Sequence, residues 1–283
     1  MTASFVPHPS VRSPWPALLL LAAWIGVAGP WFVSPLFPME TLRQWQHASG
    51  GWVSVTLVAS VGIGLVQLAI VFGPGRQSFA DVGWRARALL PALLVTALLW
   101  ALMQGATVLS AAASGTPLVA APAWGRGLGI ALGPLLAQLL GTALMEETVF
   151  RGYLWPQLGL WLRTRLSSTP SAVVALLLSQ GLFALVHVPV LLYAGTDAAA
   201  LGGPLAMLFV VGVVFALVYA ATGNLFVAVG AHALGNATTL LYQPQGPAPT
   251  LVLLAALLAI AATWWLWRRR GIAVPHGVAT AAP

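Results

Sequence analysis

Two adjacent carboxylates, Glu146 and Glu147, lie in the apolar stretch TALMEETVFRG (142–152). Ionisable groups are expensive inside a membrane-like environment, so each one needs a partner. Glu147 and Arg151 are four residues apart, which places them on one helix face and allows an ion pair. Glu146 projects about 100° away from Glu147 and needs a different partner or a water molecule. A carboxylate beside a trapped water can act as a general base.

Two histidines and one amide lie in later apolar stretches. His187 ends FALVH (183–187), and His232 precedes Asn236 by four residues in HALGN (232–236). The ring of His232 and the amide of Asn236 therefore share a helix face, and two such donors could hold an oxyanion. A carboxylate, two imidazoles and an amide are the groups needed to activate water and stabilise a tetrahedral intermediate.

Purely structural roles remain open for the same residues. Glu147 and Arg151 could be a bracing ion pair without chemistry, and Glu146 could be a protonated, hydrogen-bonded acid. His232 and Asn236 could make interhelical hydrogen bonds, as such side chains commonly do in membranes. A serine nucleophile has no support, because the sequence contains no G-x-S-x-G motif.

The composition predicts the elements that position these residues. The chain is 59% hydrophobic and only 6% charged, with a mean hydropathy of +0.91, whereas soluble domains have about 25% charged residues. We therefore predict an all-α polytopic integral membrane protein in contact with membrane lipid. Every basic residue apart from histidine is arginine, and the arginines lie in small groups between apolar runs. This pattern is typical of membrane topology, so no nucleic-acid partner is expected.

About eight transmembrane helices are expected, since a spanning helix needs about 20 apolar residues. The predicted spans are 15–35, 51–73, 89–111, 128–150, 171–193, 203–221, 224–242 and 249–267. The fourth could continue as a helix through Leu160, and ATGN (221–224) predicts a tight turn. We expect one helical domain over 1–270, with its motif-bearing core at about 128–242 and a disordered tail at 271–283. The first span resembles a secretory signal, but the hydrophobic chain that follows favours a retained helix.

Arginine placement predicts the orientation of a multi-pass protein, here expected in the plasma membrane. With eight spans, nine arginines fall on the side of both termini and two, Arg43 and Arg126, fall on the other. Both termini are therefore expected in the cytoplasm. One difficulty concerns depth. His187 would lie about 24 Å from the cytoplasmic end of its helix and His232 only about 12 Å, unless tilt or an inward turn brings them level.

Three motifs in order carry a family resemblance. EETVFRG (146–152) matches E-E-x-x-x-R, FALVH (183–187) matches F-x-x-x-H, and HALGN (232–236) matches H-x-x-x-N. Together they resemble the CAAX protease and bacteriocin-processing family, or Abi family, which includes type II CAAX prenyl endopeptidases. The resemblance covers about 140–236 and implies an eight-helix intramembrane endopeptidase whose cavity opens toward the cytosol.

The resemblance also implies roles for individual residues. Glu146 and His187 would activate water, and His232 and Asn236 would form the oxyanion hole. Glu147, Arg151 and Phe183 would support the site. The substrate would be a membrane-associated or prenylated peptide or protein, and peptide maturation or self-immunity are equally compatible roles.

A zinc site is an open alternative, because the family is commonly labelled metalloprotease. Glu146, His187 and His232 could be three ligands, with water in the fourth position. Their spacing is not H-E-x-x-H, and a glutamate-activated water accounts better for Asn236. We therefore favour a site without a cofactor. Two other functions stay open: a proton-coupled transporter, in which the acids and histidines relay protons, and a non-catalytic membrane scaffold or immunity protein.

Overall fold

A computed structural model describes residues 11–269, so the predicted tail at 271–283 lies outside the described residues. The described chain is helical and contains no strand, only one isolated bridge between Ala120 and Tyr242. Its helices are α1 (Trp15–Phe32), α2 (Met39–Ala48), α3 (Val55–Phe72), α4 (Leu89–Ser114), α5 (Pro122–Gly125), α6 (Leu128–Ala137), α7 (Ala143–Glu147), α8 (Trp155–Leu162), α9 (Ser168–Leu185), α10 (Val188–Tyr193), α11 (Gly202–Thr222), α12 (Leu225–Asn236) and α13 (Pro249–Arg269).

Seven helical stretches among the described residues are long and apolar enough to cross a membrane. They confirm the all-α, multi-pass fold. Their bounds are Trp15–Phe32, Val55–Phe72, Ala86–Ser114, Leu128–Leu162, Ser168–Tyr193, Gly202–Thr222 and Pro249–Trp267.

The prediction of a transmembrane span at 224–242 is wrong, because the helix found there is too short. Helix α12 has only 12 residues, about 18 Å at 1.5 Å per residue, which is too short to cross. The chain after it is irregular and bonds to the α4–α5 connection, with Ala121 N donating to Leu241 O and Gln243 N to Val119 O. Irregular backbone is tolerated in a membrane protein where other protein groups satisfy it.

The fourth span is a continuous helical stretch from Leu128 to Leu162, as predicted, but it is not uniformly α-helical. Two π-helical segments, Gln138–Thr142 and Thr148–Leu154, lie before and after α7. Both glutamates of the first motif belong to α7, between the two segments. π-Helical turns occur frequently at functional sites, because they re-aim side chains within a helix.

Apart from the buried Arg151, the described arginines lie toward the two ends of the bundle. At the arginine-rich end, the N-terminal segment, the α3–α4 connection and α8 meet in a buried network. Ser13 N donates to Gln157 Oε1, and Gln157 Nε2 donates to Gln77 Oε1. At the opposite end, Arg43 and Arg126 border one depression.

The turn between α11 and α12 reduces the predicted disagreement in depth. Gly223 has a left-handed conformation (φ +63°), and Asn224 caps α12 by accepting a hydrogen bond from Phe226 N. Leu225 packs in a cluster with Ala172 and Leu176 of α9. Helix α12 therefore begins level with the first turns of α9 rather than with its end. His232 lies correspondingly deeper in the bundle.

Close contact between α12 and α4 fixes the position of the third motif. A Cβ atom added at Gly230 would overlap the side chain of Thr96 on α4, whereas one added at Gly235 would meet only Leu253, at 3.9 Å. The two glycines share a helix and differ in the space around them.

We predict that Gly230→Ala lowers the free energy of unfolding by about 1–3 kcal/mol, because the added methyl group overpacks the α4–α12 contact. The unfolding midpoint in detergent should therefore fall. Gly235→Ala is the matched control and should leave stability unchanged or slightly raised, because alanine favours the helix. Thermal unfolding of both purified variants measures the difference. Equal stability of the two variants would contradict the predicted α4–α12 contact.

Candidate active site

Glu147 is the most enclosed acidic group of the site, with a fully buried side chain. Its Oε1 atom accepts hydrogen bonds from Arg151 Nη1 at 3.0 Å and from His232 Nδ1 at 2.8 Å. The ion pair expected from the four-residue spacing is therefore confirmed. The contact with His232 was not expected, and it ties the first motif to the third.

Arg151 is held by three helices. Besides its bond to Glu147, its Nη2 atom donates to the backbone oxygen of Gly212 on α11, at 3.2 Å. Its guanidinium carbon lies 4.2 Å from the ring centroid of Phe183, a favourable cation–π distance. A Cβ atom at position 212 would meet Arg151 Nη2 and Phe183 at 3.0 Å. Gly212 thus allows the arginine to reach the α11 backbone.

Glu146 has a different environment from its neighbour. Its side chain is 26% exposed and faces a cavity, and its Oε2 atom lies 3.7 Å from His232 Nε2. That oxygen has no hydrogen-bond partner among the described residues. The two glutamates therefore approach opposite nitrogens of one imidazole. Of the two glutamates, only Glu146 lines the cavity.

The orientation of His232 is set from two sides. Its ring stacks on Phe215 of α11 at 4.9 Å with an interplanar angle of 20°. Its Nδ1 atom points at Glu147, which has only acceptor oxygens when ionised, so Nδ1 is the protonated nitrogen in that state. A neutral ring would then accept at Nε2, whereas an imidazolium would donate there.

His187 lies at the junction of α9 and α10. Its Nδ1 atom is 2.7 Å from the backbone oxygen of Phe183, and its ring packs edge-on against the Phe183 ring at 4.9 Å. Phe183 thus supports both His187 and Arg151. His187 lines the same cavity as Glu146, but among the described residues no ion pair joins the two.

Asn236 has a partner that the sequence analysis missed. Its Nδ2 atom donates to Gln138 Oε1 at 3.0 Å, and Gln138 begins the first π-helical segment. This bond orients the amide, with one N–H on Gln138. Gln138 is the one glutamine in the apolar span 128–150, and such a polar side chain in a span indicates a hydrogen-bond partner. The sequence does not show which residue of α12 lies opposite it.

One cavity of about 770 Å³ joins these residues. Glu146, His187, His232 and Asn236 all line it, together with Gln138 and Thr142. Most of its remaining lining is apolar and comes from α1, α3, α11 and α13. The structure therefore brings the four predicted site residues to one apolar-walled cavity, with Glu147 and Arg151 buried behind it.

The three candidate zinc ligands do not form a cluster among the described residues. Among the residues that the structure describes, no group of three or more His, Asp or Glu side chains is placed to hold a metal ion. Glu146, His187 and His232 share the cavity. His232 directs Nδ1 to Glu147 and His187 directs Nδ1 to a backbone oxygen, which leaves Nε2 as the remaining nitrogen of each ring.

The fold and the cavity define a polytopic membrane protein with a glutamate- and histidine-bearing site inside the helix bundle. Residues 128–238 match the family model described as type II CAAX prenyl endopeptidase Rce1-like. The matched region runs from α6 past the end of α12 and contains all three motifs. The match confirms the family resemblance and supports a CAAX-type intramembrane protease in general. Comparison with curated proteins and with solved structures finds no match.

The two glutamates should respond differently to loss of charge. Glu147→Gln leaves Arg151 without its buried counter-ion, a change that typically costs about 3–5 kcal/mol. Glu146→Gln is the matched control, because that side chain faces the cavity and has no arginine partner. We predict a large loss of thermal stability for Glu147→Gln and a small change for Glu146→Gln. Similar stability of the two variants would show that the Glu147–Arg151 pair does not brace the bundle.

Proposed function

We propose that the protein is an intramembrane endopeptidase that hydrolyses a peptide bond in a membrane-associated or prenylated protein or peptide. The observation that carries this proposal is the unequal use of the two glutamates. Glu147 is fully buried and bonded to Arg151 and His232, whereas Glu146 is partly exposed, lines the cavity and lies with its Oε2 atom 3.7 Å from His232 Nε2. A partly exposed carboxylate beside an imidazole, in a mostly apolar cavity, suits a general base.

In the proposed reaction, Glu146 removes a proton from a water molecule while the water oxygen attacks the peptide carbonyl carbon. His187 helps to position that water through its Nε2 atom, since its Nδ1 atom is bonded to Phe183 O. The carbonyl oxygen becomes an oxyanion in a tetrahedral intermediate. Glu146 then passes its proton to the amide nitrogen, the C–N bond breaks, and a carboxylic acid and an amine form; proton transfer between them gives a carboxylate and an ammonium group.

Asn236 and His232 are proposed to stabilise the oxyanion. Asn236 Nδ2 uses one N–H on Gln138 and has a second for the oxyanion. His232 can donate from Nε2 only as an imidazolium, because Nδ1–H is bonded to Glu147. The ionised Glu147 provides the negative charge that such an imidazolium requires. Glu147 and Arg151 thus support the reaction without touching the substrate.

We propose that this chemistry needs no metal ion. The support is that no three His, Asp or Glu side chains converge on one point among the described residues. A metal-bound water would also leave the amide of Asn236 without an evident role.

Glu146→Gln should abolish cleavage of a membrane-anchored peptide while the protein stays folded, because the amide cannot accept the proton. Asn236→Ala should lower kcat by about 10²–10³-fold, the usual effect of losing one oxyanion-hole donor. Cleavage by purified protein in proteoliposomes, followed by mass spectrometry, measures both. Thermal unfolding of the same samples controls for folding.

The corresponding control is Gln67→Ala, since Gln67 lines the cavity outside the three motifs and has no proposed role. That variant should cleave at close to the wild-type rate. Cleavage by Glu146→Gln at the wild-type rate would refute the assignment of the base.

Removal of metal ions should not change activity. Protein purified in chelator, with its metal content checked by mass spectrometry, should cleave as fast as protein supplemented with zinc. Loss of activity on chelation, with recovery on adding zinc, would contradict the proposed metal-free mechanism while leaving the protease assignment intact.

A further inference from the structure

We infer that the end of the bundle opposite the arginine-rich end has a binding site for the phosphate group of an anionic phospholipid. The site is the depression bordered by Arg43 and Arg126, here called the α2–α6 depression. It shares no lining residue with the proposed catalytic cavity. The inference therefore goes beyond the proposed protease function and does not depend on it.

Four polar side chains line the α2–α6 depression, and each of them can donate hydrogen bonds. They are Arg43, Gln46 and His47 of α2, and Arg126 just before α6. Gln46 Oε1 accepts a hydrogen bond from Val55 N at 3.2 Å, so the amide nitrogen of Gln46 is its remaining polar group. No carboxylate of the described residues lines the depression. A depression of about 630 Å³ with four donor side chains and no lining acid suits an anion.

Neither arginine of the depression is held by a strong ion pair. Arg43 Nη1 lies 3.9 Å from Glu40 Oε2, and both side chains are largely exposed. Exposed pairs of this kind contribute little to stability. Arg126 is exposed and makes no ion pair within the described part of the chain. Both guanidinium groups are therefore available to a phosphate, whose oxygens match their paired N–H donors.

Close backbone packing brings the two arginines to one place. A Cβ atom added at Gly129 of α6 would overlap Gly50 O, and one added at Gly51 would meet the backbone carbon of Gly129 at 2.8 Å. Gly50 and Gly51 have positive φ values of +61° and +95° and form the turn after α2. This turn lies directly on the first turn of α6. Since Arg43 is on α2 and Arg126 is next to the start of α6, the packing fixes both on the same depression.

Helix α2 and its surroundings have the character of a membrane–water interface. The helix is amphipathic and too short to span, with Leu42 buried and its polar side chains exposed. Trp31, Trp45 and Trp52 lie at this end and are all exposed. Tryptophan is enriched at the level of the lipid headgroups, and amphipathic helices lie in that plane. The α2–α6 depression is therefore at the depth where lipid phosphates are the most abundant anions.

A headgroup with a net negative charge fits the depression better than a zwitterionic one. Two arginines supply two positive charges, which one phosphate does not fully neutralise. The ammonium group of a zwitterionic lipid would lie beside these arginines, with no carboxylate lining the depression to accept it. Phosphatidylglycerol has a phosphate and hydroxyl groups but no cation. Basic pockets of this kind bind anionic headgroups in membrane proteins.

The absence of cysteine from the chain permits a test with one fluorophore. Gln44→Cys is an exposed position of α2 outside the lining of the depression. The labelled full-length protein is placed in phosphatidylcholine nanodiscs with a small fraction of acyl-labelled phosphatidylglycerol or acyl-labelled phosphatidylcholine, and energy transfer is measured. We expect stronger, saturable transfer to phosphatidylglycerol. Unlabelled phosphatidylglycerol should displace it, and inorganic phosphate should not.

Two double variants in the Gln44→Cys background separate the site from general charge effects. Arg43→Gln with Arg126→Gln should raise the phosphatidylglycerol fraction at half-maximal transfer by at least about tenfold, because charge-assisted bonds to the phosphate are lost. Arg87→Gln with Arg165→Gln removes the same charge from two exposed side chains at the arginine-rich end and should leave the transfer unchanged. Thermal unfolding checks that both variants are folded.

Three results would overturn the inference. They are equal transfer to the two lipids, the same half-maximal fraction in both double variants, and displacement of the labelled lipid by inorganic phosphate, which would make free phosphate the ligand. The measurement involves no peptide cleavage. Failure of the proposed protease activity would therefore leave this test unaffected, and failure of lipid binding would leave the protease proposal unaffected.

Discussion

The buried carboxylate of Glu147 is the constraint on which the rest of the site depends. It has no access to solvent and is compensated by Arg151 and His232, which come from its own helix and from α12. Arg151 extends the connection to α11 through the backbone oxygen of Gly212. One negative charge thus fixes the relative positions of three helices. Removing it would leave an arginine and a histidine in an apolar bundle, which is why a charge is retained at this depth.

This arrangement also explains how adjacent glutamates can serve different purposes. His232 is held at Nδ1 by Glu147 and stacked on Phe215, which directs Nε2 toward Glu146 and the cavity. Glu146 is therefore placed beside an oriented imidazole without being neutralised by the arginine. The two acids lie in α7, between the two π-helical segments. In the proposed mechanism the fully buried acid braces the site and the partly exposed acid is the base.

Much of this was predictable from local sequence. Composition and apolar run length gave the multi-pass helical fold and most of the spans, and the four-residue spacing gave the Glu147–Arg151 pair. Features that depend on the register between helices were not predictable. They include the bond of His232 to Glu147, the bond of Asn236 to Gln138 and the short extent of α12, whose following chain is held by the α4–α5 connection. The end at which the cavity lies is likewise a tertiary property, because residues from eight helices and their junctions form it.

The central claim is that a water molecule activated by Glu146 attacks the peptide bond directly. Single-turnover cleavage of a membrane-anchored peptide in ¹⁸O-labelled water tests it, with acid quenching at intervals and mass spectrometry of peptide and protein. The account predicts one ¹⁸O atom in the new C-terminal carboxylate, no covalent peptide–protein adduct at any time, and no product with Glu146→Gln. An acid-stable peptidyl adduct on the protein, or labelled product from Glu146→Gln at the wild-type rate, would contradict it.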